Sequence, residues 1–203
     1  MDVSSKVFRI HKTVLEMLID RGYDIDPAEA TLSKGEWDKR YNRGDDRSAL
    51  HRVFIRPSDG DRILAYFDTP DKADKTFFSV FTGNMRQEDV QHAILVIQSK
   101  AISPATKRLF EQFASEGNSI EFFQPAELLF NITHHELVPK HVPLSEEAKA
   151  EVLRKYNATD SQLPQILRTD PVIRYLGVGP GTLIEITRNS VNAGEYITYR
   201  IVI

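Results

Sequence analysis

Two prolines four residues apart, Pro139 and Pro143, forbid a continuous helix through this stretch of the chain. Each lacks a backbone N–H and pushes the residue before it out of helical geometry. The texture changes just upstream, around Asn131, from longer helix-like and strand-like runs to short, tightly punctuated elements. A length of 203 residues admits one large domain or two small ones, because domains cluster near about 100 to 150 residues. The break predicts an amino-terminal domain over 1–130 and a smaller carboxyl-terminal domain over 131–203.

Composition limits what these domains can do. With 41% hydrophobic and 27% charged residues, the chain lies near the globular average, so disorder is a poor reading. No apolar run approaches the roughly 20 residues of a spanning helix, and no membrane partner is expected. The opening Met1 to Lys6 has no basic flank before an apolar stretch, so no secretory signal is expected. The absence of cysteine removes disulfides, thiolate zinc sites and thiol nucleophiles. Net charge is -3, and neither side of Asn131 is basic: 8 Lys plus Arg against 8 Asp plus Glu after it, 18 against 21 before it. Binding to nucleic acid rests on cations neutralising phosphates, so any DNA contact must be local or supplied by a larger assembly.

Local patterns predict a mixed α/β chain of the α+β class. Val7, Ile10, Val14, Leu15 and Leu18 form the stripe of an amphipathic helix that Gly22 stops. After a turn at Asp26-Pro27, Ser33 and Glu36 have capping-box spacing before a short helix through Trp37 and Tyr41. Residues 42–47 read as a polar loop. Strands are expected at Val53–Ile55, Arg62–Phe67, Thr76–Phe81, Ala93–Gln98 and Ile120–Phe123, with a hairpin turn at Ser58-Asp59-Gly60. Ser103-Pro104 opens a helix that Gly117 ends.

Beyond the break, Ser145 starts a helix with Glu146 and Glu147 at its amino end, Arg154 and Lys155 at the other, and Asn157 as its stop. Thr159 to Gln162 offers a second capping box. Thr169-Asp170-Pro171 begins a helix that ends at Gly177. Turns at Gly179-Pro180-Gly181 and Asn192-Ala193-Gly194 lead into strands over Thr182–Arg188 and Glu195–Ile203. In the last strand Ile197, Tyr199, Ile201 and Ile203 share one face, and Tyr196, Thr198, Arg200 and Val202 the other. A small sheet covered by short helices is the expected assembly.

Groups that could carry chemistry are few. His134, His135, Glu136 and His141 are metal-ligand types, yet the residue four after His135 is Pro139, which breaks the helical spacing of a zinc-protease motif. No metal site is expected. Pro70-Asp71 followed by Gln98-Ser99-Lys100 resembles the PD-(D/E)xK nuclease pattern, in which acidic groups hold a divalent cation and Lys assists water. Gln98 replaces the second acid. A metal-dependent nuclease is thus the alternative reading, and a turn plus a strand end the plainer one. Gly177, Gly179 and Gly181 are spaced for turns and not for a phosphate loop. No G-x-S-x-G elbow occurs. Tyr196, Tyr199 and Arg200 could stack on bases, but they alternate between faces, which favours packing over a nucleic-acid platform. No catalytic residue and no cofactor are expected.

Four dense motifs, in order, carry a resemblance. They are Asn131-Ile132-Thr133-His134-His135-Glu136-Leu137-Val138-Pro139, Ser161-Gln162-Leu163-Pro164, Asp170-Pro171-Val172-Ile173-Arg174-Tyr175-Leu176-Gly177 and Tyr196-Ile197-Thr198-Tyr199-Arg200. Over 131–203 the chain resembles the shared fifth subunit of eukaryotic nuclear RNA polymerases I, II and III, a family whose carboxyl-terminal part is similar to a small subunit of the archaeal RNA polymerase. Upstream the likeness thins to Asp20-Arg21-Gly22-Tyr23 and Ile102-Ser103-Pro104-Ala105.

The resemblance implies a non-catalytic subunit with two parts: a jaw domain of nuclease-like sheet topology, near downstream DNA, and an assembly domain docked on the largest polymerase subunit. It also implies a nuclear location, the rest of the polymerase as partners and transcription factors as further ones. Glu136, Pro139, His141, Pro164, Asp170, Pro171, Arg174, Tyr175, Tyr199 and Arg200 are the expected interface or local-fold residues. For Asp170 and Pro171 a helix-start role competes with partner contact. A regulatory binding module outside the polymerase is a further alternative. The sequence departs from the family at Gly179-Pro180-Gly181, where a Lys-Arg-Gly turn is common, and at Glu185, where Lys is usual. Those losses weaken any phosphate contact at that edge and raise the reading of a specialised copy.

Overall fold

A computed structural model describes residues 2–41, 47–68, 74–97, 103–190 and 194–203, the side chains of Asp68, Asn189 and Ser190 excepted. The chain divides into two compact units, Met1–Phe130 and Asn131–Ile203, and each is an α+β assembly around its own four-stranded sheet.

In the first unit, α1 (Val3–Asp20) starts at Asp2, whose side chain accepts from the Ser5 N–H, and buries Ile10, Val14, Leu15, Met17 and Leu18. Gly22, at φ +86°, takes the left-handed conformation that ends helices at low steric cost. A one-turn helix α2 (Pro27–Ala30) follows, where the sequence suggested only a turn, because Asp26 caps it and Pro27 occupies its first position. Helix α3 (Lys34–Tyr41) begins at the expected capping box: Glu36 accepts from the Ser33 N–H at 2.9 Å.

Strand β1 (Arg52–Ile55) pairs antiparallel with β2 (Arg62–Asp68) through the hairpin at Ser58-Asp59-Gly60, where Gly60 has φ +75°. The expected strand at Thr76–Phe81 is instead the start of helix α4 (Lys75–Gln87). Its Thr, Phe and Val content favours strands, but Asp74 caps the segment by accepting from the Phe77 N–H at 2.9 Å. Phe77, Phe81 and Met85 then fall four apart and are all buried, a helical period that outweighs β propensity.

Strand β3 (His92–Ile97), helix α5 (Pro104–Ser115), capped by Ser103, and strand β4 (Ser119–Phe123) complete the layer. The order is β1-β2-β3-β4, with β2, β3 and β4 mutually parallel. Leu64, Tyr66, Ala93, Leu95 and Ile97 join Phe77, Phe81, Met85, Phe110 and Phe113 of α4 and α5 in one core cluster. On the opposite face, Phe67 meets His11 of α1 with ring centroids 5.6 Å apart. Burial on both faces explains why β3 is apolar almost throughout and does not alternate.

The second unit opens with a single 3-10 turn at Ile132–His134, then β5 (Lys140–Pro143). Helix α6 (Glu146–Tyr156) is capped by Ser145 and closed by Asn157 at φ 47°. A two-residue strand β6 (Gln165–Ile166) precedes α7 (Pro171–Leu176), which Gly177 ends. Strands β7 (Leu183–Ser190) and β8 (Gly194–Val202) form an antiparallel hairpin. The sheet order is β5-β7-β8-β6, with β6 parallel to β8. Ile173 of α7 packs on Ile184, Ile186 and Val202. Four sequence expectations fall on residues outside those described: the loop residues 42–46, Pro70-Asp71, Gln98 to Ile102, and Asn192-Ala193.

Candidate functional site

Asn131 anchors the start of the second unit. Its Oδ1 accepts from the Thr133 N–H at 3.0 Å and from the Thr133 hydroxyl at 2.6 Å, and its Nδ2 donates to the Tyr175 hydroxyl at 2.9 Å. The histidines that follow are engaged separately. His134 Nε2 lies 3.4 Å from Asn131 Nδ2, His135 Nδ1 accepts from the Leu137 N–H at 3.2 Å, and His141 Nδ1 donates to the Pro139 carbonyl at 2.7 Å. Among the described residues no three His, Asp or Glu side chains converge as metal ligands would.

A 3-10 turn and further short turns lead the chain into β5. Glu136 to Lys140, with Thr187, Arg188, Glu195 and Tyr196, line an open groove of ≈ 600 Å³. Leu137 is 84% exposed on its rim. An apolar side chain so exposed, between carboxylates and cations, suits the centre of a protein interface and has no chemistry to offer a substrate.

The remaining expected residues lie elsewhere in the unit. Asp170 accepts from the Val172 N–H at 2.9 Å and Pro171 fills the first helical position, so both hold the start of α7. Arg174 is half-buried in the last turn of that helix, and Tyr175 is buried against the Asn131 amide. At the β6–β8 side, the Pro164 carbonyl accepts from the Ile201 N–H at 2.9 Å and Arg200 donates to the Gln165 carbonyl at 3.1 Å. Tyr199 donates to Glu185 at 3.2 Å and its ring sits 5.9 Å from that of Tyr156. Burial, then the Glu185 carboxylate, raises the Tyr199 hydroxyl above its ordinary pKa, so it stays a donor at neutral pH.

Glu136 and Pro139 thus share the groove, with His141 on the adjoining strand β5. Pro164, Tyr199 and Arg200 gather at the other edge, and Asp170 to Tyr175 build α7 itself. Sequence reasoning missed Leu137, Tyr156 and Ile197 as exposed apolar residues; a signal was available for Tyr156, which directly follows Arg154 and Lys155. Glu185 takes the Tyr199 hydroxyl, and the Gly181 carbonyl accepts from Lys149 Nζ at 2.9 Å, which also reaches Asp160 at 2.8 Å.

Polar groups of the first unit act as fasteners. Arg21 grips both oxygens of Glu121 at 2.8 and 2.7 Å, joining the end of α1 to β4. Asp61 accepts from the Tyr23 hydroxyl at 2.5 Å and lies 2.7 Å from His92 Nδ1. Around α3, Trp37 Nε1 donates to His11 Nδ1 at 3.1 Å, and Glu29 accepts from Tyr41 at 2.6 Å and pairs with Arg52. Burial pushes the His11 imidazole down to about 4. Burial alone would raise the Glu29 carboxyl, but the bonds from Tyr41 and Arg52 outweigh it and hold it below the usual range. The nuclease-like residues Pro70, Asp71 and Gln98 to Lys100 lie outside the described residues.

Comparison with known proteins matches two family models, described as RNA polymerase Rpb5, N-terminal domain, over residues 2–85, and RNA polymerase Rpb5, C-terminal domain, over residues 130–202. A Dictyostelium discoideum protein, DNA-directed RNA polymerases I, II, and III subunit rpabc1, is 37% identical over 203 residues, covering 99% of each chain. The Caenorhabditis elegans subunit RPABC1 is 36% identical over 98% of this chain and 96% of its own. An Arabidopsis thaliana protein, DNA-directed RNA polymerase subunit 5-like protein 1, is 32% identical over the same shares. The likeness spans both units, and the chain belongs to the RNA polymerase Rpb5 family.

Proposed function

We propose that this chain is a non-catalytic, structural subunit of DNA-directed RNA polymerase in the nucleus. Its carboxyl-terminal unit docks on the largest subunit as an assembly domain, and its amino-terminal unit serves as a jaw beside downstream DNA. The observation that carries this reading is similarity to named polymerase subunits along 99% of the chain. The exposed Leu137 groove fits it, because such a surface gains stability when a partner removes it from water. With a net charge of -3, the jaw approaches DNA through the assembled complex and not through a field of its own. Transcription factors would meet it in the same setting.

Affinity purification of the tagged full chain from its source cells, followed by mass spectrometry, tests the proposal. Recovery of the largest polymerase subunit in near-equal amount is the expected result. Recovery of regulatory proteins without any large polymerase subunit would overturn it.

A further inference from the structure

The two edges of the second sheet differ. The β5 edge carries Lys140 and Pro143 and is preceded by Pro139, residues that blunt an edge against further pairing. The opposite edge is nearly bare. Strand β8 runs from Gly194 to Val202, yet β6 pairs with only Ile201 and Val202. Among the described residues no strand pairs with the rest of that side.

The direction of the free groups follows from the bonds that are made. The Ile201 and Ile203 amides donate toward the β6 side, to the carbonyls of Pro164 and Ile166, whereas the Val202 amide donates to Thr182 on the β7 side. Alternation along a strand then turns the amides and carbonyls of Glu195, Ile197 and Tyr199 outward. Water can satisfy such groups on an exposed edge, but a row of them is also a ready template for a further strand. Ile197 is 49% exposed beside them.

We propose that this free edge of β8 receives an extended segment of the largest polymerase subunit as an added strand, an inference that rests on the docking reading above. The faces specify the segment. Register pairs Tyr196 with Arg188 and Arg200 with Ile184, so Arg188 and Arg200 lie on one face of the hairpin, with no carboxylate among the described side chains of that face. Ile197 and Tyr199 lie on the other. An incoming strand that alternates acidic and apolar residues matches both. A second copy of β8 does not, because on the face of Arg188 and Arg200 its described side chains are Tyr196, Thr198, Arg200 and Val202, none of them acidic.

Residue-resolved hydrogen exchange on the full chain, alone and within polymerase purified through it, decides the matter. The Glu195, Ile197 and Tyr199 amides exchange quickly in the isolated chain and slow by ~tenfold or more in the assembly, while Tyr196 and Thr198, bonded to β7, are protected in both. Ile197→Pro removes an outward N–H without taking a bond from β7, and is expected to cut recovery of the largest subunit ~tenfold. Ile197→Lys, which keeps the amide, guards against misfolding and should lower recovery with an unchanged melt. Amides that stay fast in a polymerase containing the largest subunit overturn the strand addition and leave the docking reading intact. Absence of the largest subunit overturns both. Protection in the isolated chain together with a doubled mass would make a second copy the occupant and likewise overturn the proposal.

Discussion

The Tyr175 hydroxyl accepts a hydrogen bond of 2.9 Å from the Asn131 side-chain amide, 44 residues away in sequence. The bond ties the first turn of the second unit to α7 and keeps both polar groups satisfied where neither is open to water. Tyr175→Phe preserves the ring and removes the hydroxyl to which the amide donates. The expected cost is about 1 to 2 kcal/mol, read as faster hydrogen exchange across β7 and β8. Exchange identical to the parent would show that the bond adds nothing to the fold.

His11 makes the first unit sensitive to acid. The unfolded imidazole, near its ordinary 6.5, takes up a proton that the buried folded one resists until about 4. Stability from the neutral ring is therefore complete above pH 6.5 and drains away as pH falls toward 4, by at most about 1.4 kcal/mol per pH unit. Glu29, held low by Tyr41 and Arg52, acts with the same sign below its ordinary range. Urea melts followed by fluorescence of Trp37, the single tryptophan, should show the loss between pH 6.5 and 4. His11→Gln should flatten the profile in that window.

Phe81 sits fully buried where α4 meets the sheet, its ring 5.2 Å from Tyr66 and 6.1 Å from Phe110. Phe81→Ala should cost about 3 to 5 kcal/mol through lost contact and the cavity left behind. The same Trp37 signal reports it. A loss under about 1 kcal/mol would contradict the core described for this unit.

Helix signals were the most readable part of the sequence, because caps are local chemistry. Ser33, Ser103, Ser145 and Asp170 all stand where they start helices, and Asn157 and Gly177 where they end them. Thr76 to Phe81 failed because residues with strand preference also fit the buried stripe of a helix, and propensity yields to packing. Strands β5 and β6 went unseen for another reason. Four residues ending in Pro143, and two residues beside Ile201 and Val202, are strands only because a neighbour pairs with them. The groove shared the fate of β5: Glu136 to Lys140 are distant in sequence from Thr187, Arg188, Glu195 and Tyr196, and only the β5–β7–β8 register brings them side by side.

Leu137 separates docking from folding. It is exposed, so Leu137→Asp should leave stability within about 0.5 kcal/mol of the parent. Recovery of the largest polymerase subunit should nevertheless fall by about tenfold, as expected for an apolar anchor replaced by a charge. Undiminished recovery would remove the groove from the proposed interface.

Lysine cross-linking of the purified polymerase, with the bridged peptides identified by mass spectrometry, tests the docking of the carboxyl-terminal unit most directly. Lys140 on the groove and Lys155 at the end of α6 are both exposed. Cross-links from one or both to the largest subunit are the predicted result. Their absence, with links to that subunit arising only from lysines of the first unit, would contradict the account.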